Sequence, residues 1–176
     1  MKKILLLLVV AVAVTACSKN DDDSGNNGSV SVEGNWKLTS FTTENEYDLN
    51  EDGTASNNVM TETGCYLNET IAFNGDATGT AQSTSYAEIT LDLVAGTTNE
   101  YEYSIACVQE NETTAFAWTQ NGDTVVLTFA GFTYTGAKSD DTITIVLENG
   151  LAFEVEDDNG GTVMITEDIT FVYTKQ

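Results

Sequence analysis

The chain has 176 residues, enough for one domain of ordinary size, and it carries 28 Asp plus Glu against 6 Lys plus Arg, for a formal charge of −22. Nucleic-acid binding is excluded on that balance, because phosphate contacts need a basic face that so few cations cannot make. His is absent, which removes histidine-based nucleophilic relays and histidine metal ligands, while a 41% hydrophobic share is sufficient for a packed core.

The chain begins with a short basic stretch, Met1-Lys2-Lys3, followed by an apolar run from Ile4 to Val14. A bilayer span needs about 20 apolar residues, so this run fits the apolar part of a signal peptide instead. It ends in Val14-Thr15-Ala16-Cys17. That sequence resembles the lipobox of bacterial lipoproteins, which implies cleavage before Cys17 and acylation of Cys17 as the new N-terminus. Two or more acyl chains would hold the protein firmly on a membrane. Residues 1–16 are thus read as signal peptide and 17–32 as a flexible acidic tether. From Ser18 to Ser29 the tether contains no apolar residue and cannot offset its ordering entropy. Acidic residues just after Cys17 resemble the export signal that sends lipoproteins to the outer surface in one group of Gram-negative bacteria. The expected location is therefore the outer membrane, surface-exposed rather than facing the periplasm. A plain solvated linker is the alternative.

Residues 33–176 form the third region, and there the apolar pattern has period two. Ile89, Leu91 and Leu93 alternate with polar neighbours, as do Tyr101, Tyr103, Ile105 and Cys107. Val125, Leu127 and Phe129 do likewise, followed by Ile143, Ile145 and Leu147, then Leu151, Phe153 and Val155. Each run predicts a strand with one buried face. Asn74-Gly75-Asp76, Asn121-Gly122-Asp123, Asn149-Gly150 and Asn159-Gly160-Gly161 are expected turns, with Asn149-Gly150 the strongest hairpin signal. Runs near 35–42, 66–73, 77–84, 87–94, 100–108, 113–120, 124–130, 132–138, 142–148, 151–156 and 162–174 give about ten strands and no major helix. An open sheet of that size would leave long pairing edges, so a closed antiparallel up-and-down barrel is the first expectation and a sandwich the second.

Cys65 and Cys107 remain as an even pair in an exported chain, and a disulfide is the default reading. A catalytic thiol is disfavoured because no His exists to activate it. Asp48-Leu49-Asn50-Glu51-Asp52-Gly53 fits the start of a calcium loop, with oxygen ligands at alternate positions and Gly at the sharp turn. Asp48, Asn50, Asp52 and the Thr54 carbonyl are the candidate ligands, closed by Glu62 or Glu69. Val59 stands where an EF-hand needs Glu, so an ordinary acidic turn is the competing account. Tyr101, Tyr103, Phe116, Trp118, Phe153 and Phe171 are candidate ligand-binding residues on inward faces, alongside Phe129 and Tyr173. Packed core is the alternative there. Glu69 and Glu167 also have inward parity, which implies either a strand break or bulge, or a wet cavity.

Gly34-Asn35-Trp36-Lys37-Leu38, Cys65 before the strand ending at Phe73, Phe116-Ala117-Trp118 and the late Phe171-Val172-Tyr173 together resemble lipocalin-like domains of bacterial surface lipoproteins. The resemblance covers roughly residues 33–175 and implies a lipocalin-like (calycin-like) barrel whose Trp plugs the closed end. The Arg that usually stacks over that Trp is missing, because the chain contains no Arg. The expected function is non-catalytic binding of a small hydrophobic or amphiphilic ligand by a monomer anchored to the membrane through lipid. A solid-cored structural or protein-interaction module of the envelope is the second reading. A small carboxylate-dependent hydrolase is the third, with no Asp or Glu pair singled out by spacing.

Overall fold

The computed structural model describes residues 30–93, 95–96, 101–156 and 162–176; for 89–93, 101–103, 153–156, 162–163 and 165 only the backbone is described. Period-two alternation turns one face of each run inward. The resulting strands are β1 (Gly34–Tyr47), β2 (Ser56–Asn58), β3 (Thr70–Phe73), β4 (Thr78–Leu93) and β5 (Tyr101–Asn121), then β6 (Thr124–Phe129), β7 (Phe132–Ser139), β8 (Thr142–Glu156) and β9 (Thr162–Lys175). Neighbours in the order β1-β3-β4-β5-β6-β7-β8-β9 pair antiparallel. Strand β9 returns to β1 from Trp36↔Lys175 to Thr43↔Ile169 and closes an eight-stranded barrel. Short β2 adds to β1 outside that ring. The expected antiparallel up-and-down barrel is therefore the fold, and the sandwich is not. The helix α1 (Val59–Thr63) is a single turn, capped by the Asn58 side chain at its start and by left-handed Gly64 at its end.

Three expected strand breaks are continuous strands. The runs at 77–84 and 87–94 join as β4 with a register shift between Ser83 and Ser85, and those at 100–108 and 113–120 join as β5. Polar Glu112 pairs with Ser83 of β4, and Glu110 and Asn111 lie at the register shift, where their side chains still bond β4. Gln82 Nε2 donates to Asn111 Oδ1 at 3.3 Å, and Ser83 Oγ bonds Glu110. Asn149-Gly150 is likewise no hairpin; it is a bulge inside β8, between Leu147 and Leu151. Asn149 holds φ +52°, its N–H donates to Asp168 Oδ1 at 2.8 Å, and Thr166 Oγ1 donates to its side-chain oxygen at 2.8 Å. A Cβ on Gly150 would come within 2.5 Å of Ile169 Cγ1. Tolerance of a left-handed residue and a bare Cα are demands shared by turns and bulges, which is why the dipeptide reads as either. Asn74-Gly75-Asp76 and Asn121-Gly122-Asp123 do form the β3–β4 and β5–β6 turns. In the first, Asp76 accepts from the Thr78 hydroxyl at 2.6 Å and its N–H at 3.1 Å, which holds the Asp76 carboxyl below its usual range. Asn159-Gly160-Gly161 lies outside the described residues.

The β3–β4, β5–β6 and β7–β8 turns share one end of the barrel, and that end is filled. Val32, Trp36, Phe73, Phe116, Val125 and Ile143 are buried there in one cluster with Ile71, Leu127 and Ile145. Each such side chain contributes about 1.5–3 kcal/mol by leaving water. Phe116 reaches across because its partner is Gly79, where a Cβ would sit 2.2 Å from the ring. The segment before β1 seals the end. Val32 N–H donates to Gln120 Oε1 at 2.8 Å, Trp36 Nε1 donates to the Val32 carbonyl at 2.8 Å, and Gln120 Nε2 donates to the Val30 carbonyl at 3.0 Å. The opposite rim is uneven. The β4–β5 pairing continues to Leu93↔Tyr101 and the β8–β9 pairing to Glu156↔Thr162, whereas β6 and β7 meet at a short wall ending at Phe129↔Phe132.

Candidate functional site: an apolar cavity below the open rim

Above the filled end the packing loosens. A cavity of about 320 Å³ is lined by Ile71, Ala81, Leu127, Phe129, Tyr134, Ile145, Leu147, Phe171 and Tyr173. A second space of about 210 Å³ is lined by Leu38, Tyr66, Glu69, Thr70, Gln82, Ser83 and Thr114, and shares Ala81, Phe171 and Tyr173 with the first. The two spaces of this recess adjoin across these three side chains, the first an apolar cavity and the second a more polar side chamber. Small Ala81 on β4 borders both. Aromatic contacts stiffen the lining: Phe41 packs on Phe171 at 4.7 Å and on Tyr66 at 5.2 Å, and Phe129 meets Tyr134 edge-on at 5.7 Å. Tyr173 is deeply set, and burial, helped by the Glu69 charge, pushes its phenol up to about 12.

Of the six residues expected to bind a ligand, Phe171 lines the recess. Phe116 is buried beneath it in the closed-end cluster. Trp118 faces the β3–β4 turn, where Nε1 donates to the Asn74 and Thr78 carbonyls at 3.1 and 2.9 Å. The backbones of Tyr101 and Tyr103 pair with Leu93 and Leu91 near the tip of the β4–β5 ribbon, and that of Phe153 pairs with Ile165. Their side chains lie outside the described residues. Tyr134 was missed because its strand carries Gly136 and Lys138 at the same parity, which erases the apolar stripe. Lys138 is nevertheless buried, with Nζ donating to the Asp140 carbonyl at 2.7 Å.

Three buried carboxylates organise the rim. Glu69 accepts from Thr84 N–H at 3.0 Å, Thr84 Oγ1 at 2.9 Å and Ser85 N–H at 3.1 Å, satisfying the amides freed by the β4 bulge. It also lines the side chamber. Glu167, opposite the β8 bulge, accepts from Asn45 Nδ2 at 2.6 Å and from the Tyr47 hydroxyl. Burial acts to raise its pKa, but the bonds from Tyr47 and Asn45 outweigh it and hold the carboxyl below its ordinary 4.5. A depressed carboxyl stabilises the fold above the unfolded value, and that stability is lost as pH falls through the folded one. Glu167→Gln is therefore expected to lower Tm at pH 7 and to flatten the fall of Tm below pH 4.5, as read by circular dichroism melts across pH.

The third carboxylate, Glu62 on α1, accepts from Leu49 and Asn50 N–H at 3.0 and 3.4 Å and so anchors the candidate calcium loop to the barrel. Within that loop Asp48 accepts from Asp52 and Gly53 N–H at 3.0 Å each, Asn50 Oδ1 from Asp52 N–H at 2.9 Å, and Asp52 from Thr54 N–H at 2.8 Å. The acceptors point into their own backbone. Among the described residues, no three Cys, Asp or Glu side chains are grouped so as to hold a metal ion. Cys65, just after α1, and Cys107 on β5 form a disulfide with Cα atoms 5.6 Å apart, tying the β1–β3 connection to the β4–β5 ribbon.

At the closed end Lys175 lies over Trp36, its Nζ 5.4 Å from the centroid of the ring. No curated protein and no solved structure matches the chain. Residues 1–18 match the family model of the prokaryotic membrane lipoprotein lipid attachment site, which supports a chain anchored to a membrane through lipid.

Proposed function

We propose that this is an outer-membrane, surface-exposed lipoprotein, attached through Cys17, whose lipocalin-like barrel binds a small hydrophobic or amphiphilic molecule as a monomer and without catalysis. The observation that carries the reading is the contrast within the barrel. One end is packed solid around Trp36, while the aromatic and aliphatic side chains above it surround about 320 Å³ of space. Pockets of this size with few polar groups suit one small ligand. The Trp36–Lys175 pair at the closed end adds to the likeness with lipocalins. Glu69 is the one acid lining either space among the described residues. The facing carboxylates of a glycoside hydrolase are therefore not assembled there, which favours binding over hydrolysis. Residues 30–33 cross the closed end, so the described chain enters the barrel at the end opposite the open rim.

The test is a titration of the full-length lipoprotein with an apolar fluorescent probe such as anilinonaphthalene sulfonate's uncharged analogue, N-phenylnaphthylamine. Saturable enhancement is expected, lost in Ala81→Phe, which places a ring where Ala81 borders both spaces. No enhancement in wild type counts against the reading. Calcium at Asp48, Asn50, Asp52, Thr54 and Glu62 is a separate part of the proposal, supported by the loop's ligand spacing. It is expected to raise Tm in wild type and not in Asp52→Ala; an unchanged wild-type Tm removes it.

A further inference from the structure

Resting on the binding reading above, we infer that the side chamber next to Glu69 is a cation-selecting head-group site, so that the ligand is an amphiphile with a basic or quaternary nitrogen and an apolar body. Glu69 is only 7% exposed and lines the chamber. The N–H and O–H groups of Thr84 and Ser85 satisfy its oxygens, but none of them brings a positive charge. The described lysines, Lys37, Lys138 and Lys175, line neither space. A buried carboxylate without a cation is costly, and a ligand nitrogen would supply the missing charge.

The rest of the chamber is built for the same guest. Tyr66, Phe171 and Tyr173 place three rings around the space that Glu69 faces, and the electron-rich faces of such rings attract ammonium groups, including those too alkylated to hydrogen-bond. Phe171 and Tyr173 also line the apolar cavity, so a head in the chamber has the apolar lining next to it for the ligand's body. An anionic head would meet Glu69 with no compensating group. Burial first, and then the Glu69 charge, disfavour the Tyr173 phenolate, and both act against an anionic head in the same direction. The wider protein, with a net charge of −22, attracts cations and repels anions before either reaches the recess.

The proposal is tested with three probes sharing one eight-carbon tail: octyltrimethylammonium, octanol and octanoate. Each is titrated by calorimetry into the full-length lipoprotein held in non-ionic amphipol, with amphipol alone as the blank. The expected order is ammonium, then octanol, then octanoate, with at least about tenfold between the ends. Glu69→Gln keeps an oxygen for Thr84 and Ser85, and should shrink that span to within about threefold. Should this variant lose its near-ultraviolet dichroism, the order of the three probes on wild type decides the proposal by itself. Octanoate binding as tightly as the ammonium probe overturns the head-group site while leaving the barrel's binding role intact. Absence of binding by all three overturns the binding role itself.

Discussion

Trp36→Ala is expected to remove about 3–5 kcal/mol of stability, a third or more of what a domain of this size ordinarily has. Trp36 is fully buried, and the cavity left by its indole would lie where strands β1, β3 and β9 meet. The loss is compound. The Val32 carbonyl would lose its donor at 2.8 Å, the Lys175 ammonium would lose the ring beneath it, and the segment sealing the closed end would lose its anchor. Trp36→Phe keeps most of the volume and gives up the N–H, so a smaller loss of about 1–3 kcal/mol is expected. Phe132 is 70% exposed at the rim, and Phe132→Ala should stay within about 0.5 kcal/mol of wild type. Urea midpoints with unchanged slopes check all three. A loss below about 1 kcal/mol for Trp36→Ala would mean that the closed end is not the core.

Removing the disulfide is the second large effect. Cys65 and Cys107 are 42 residues apart, and cross-linking a loop of that length restricts the unfolded chain by about 4 kcal/mol in the chain-entropy account. The double variant Cys65→Ala with Cys107→Ala should therefore lose about 3–4 kcal/mol at equilibrium. The change should also be local. Cys65 joins the long β1–β3 connection to the β4–β5 ribbon, far from the closed end, so hydrogen exchange is expected to quicken over residues 48–69 and 84–109 and to stay slow at Trp36, Phe73 and Val125. Uniform quickening would show that the rim and the closed end unfold as one unit. Thiol titration of the unreduced protein should find neither Cys65 nor Cys107 free.

Most of the barrel is legible in the sequence because period-two alternation is a direct image of a sheet with one buried face. Val125, Leu127 and Phe129, or Ile143, Ile145 and Leu147, admit no other reading. Connectivity was harder. At Asn149-Gly150 the same backbone permissiveness serves a bulge as well as a turn, and only the Ile169 side chain packed against Gly150 decides between them. At Glu110-Asn111-Glu112 the polar run resembles a loop, yet its cross-strand partners Gln82 and Ser83 are polar too. The recess was partly visible. Phe171 stands out by parity and Glu69 as an acid on the wrong face, but Tyr134 is hidden by Gly136 and Lys138. Phe116 and Trp118 have the right parity and the wrong height, since alternation tells which side a residue faces and not how far along the barrel it lies. Lys175 over Trp36 was hidden because the last strand's position beside the first depends on closure of the whole ring.

Occupancy of the recess by a small molecule is tested by a native mass spectrum of the full-length lipoprotein as it comes from its own membrane, set beside the mass of the same sample after denaturation. The predicted result is a non-covalent excess of a few hundred daltons over the lipidated chain, lost on denaturation and displaced by octyltrimethylammonium. A native mass equal to the denatured one, with no uptake of the added probe, would contradict the claim and leave a barrel that serves as a solid envelope module.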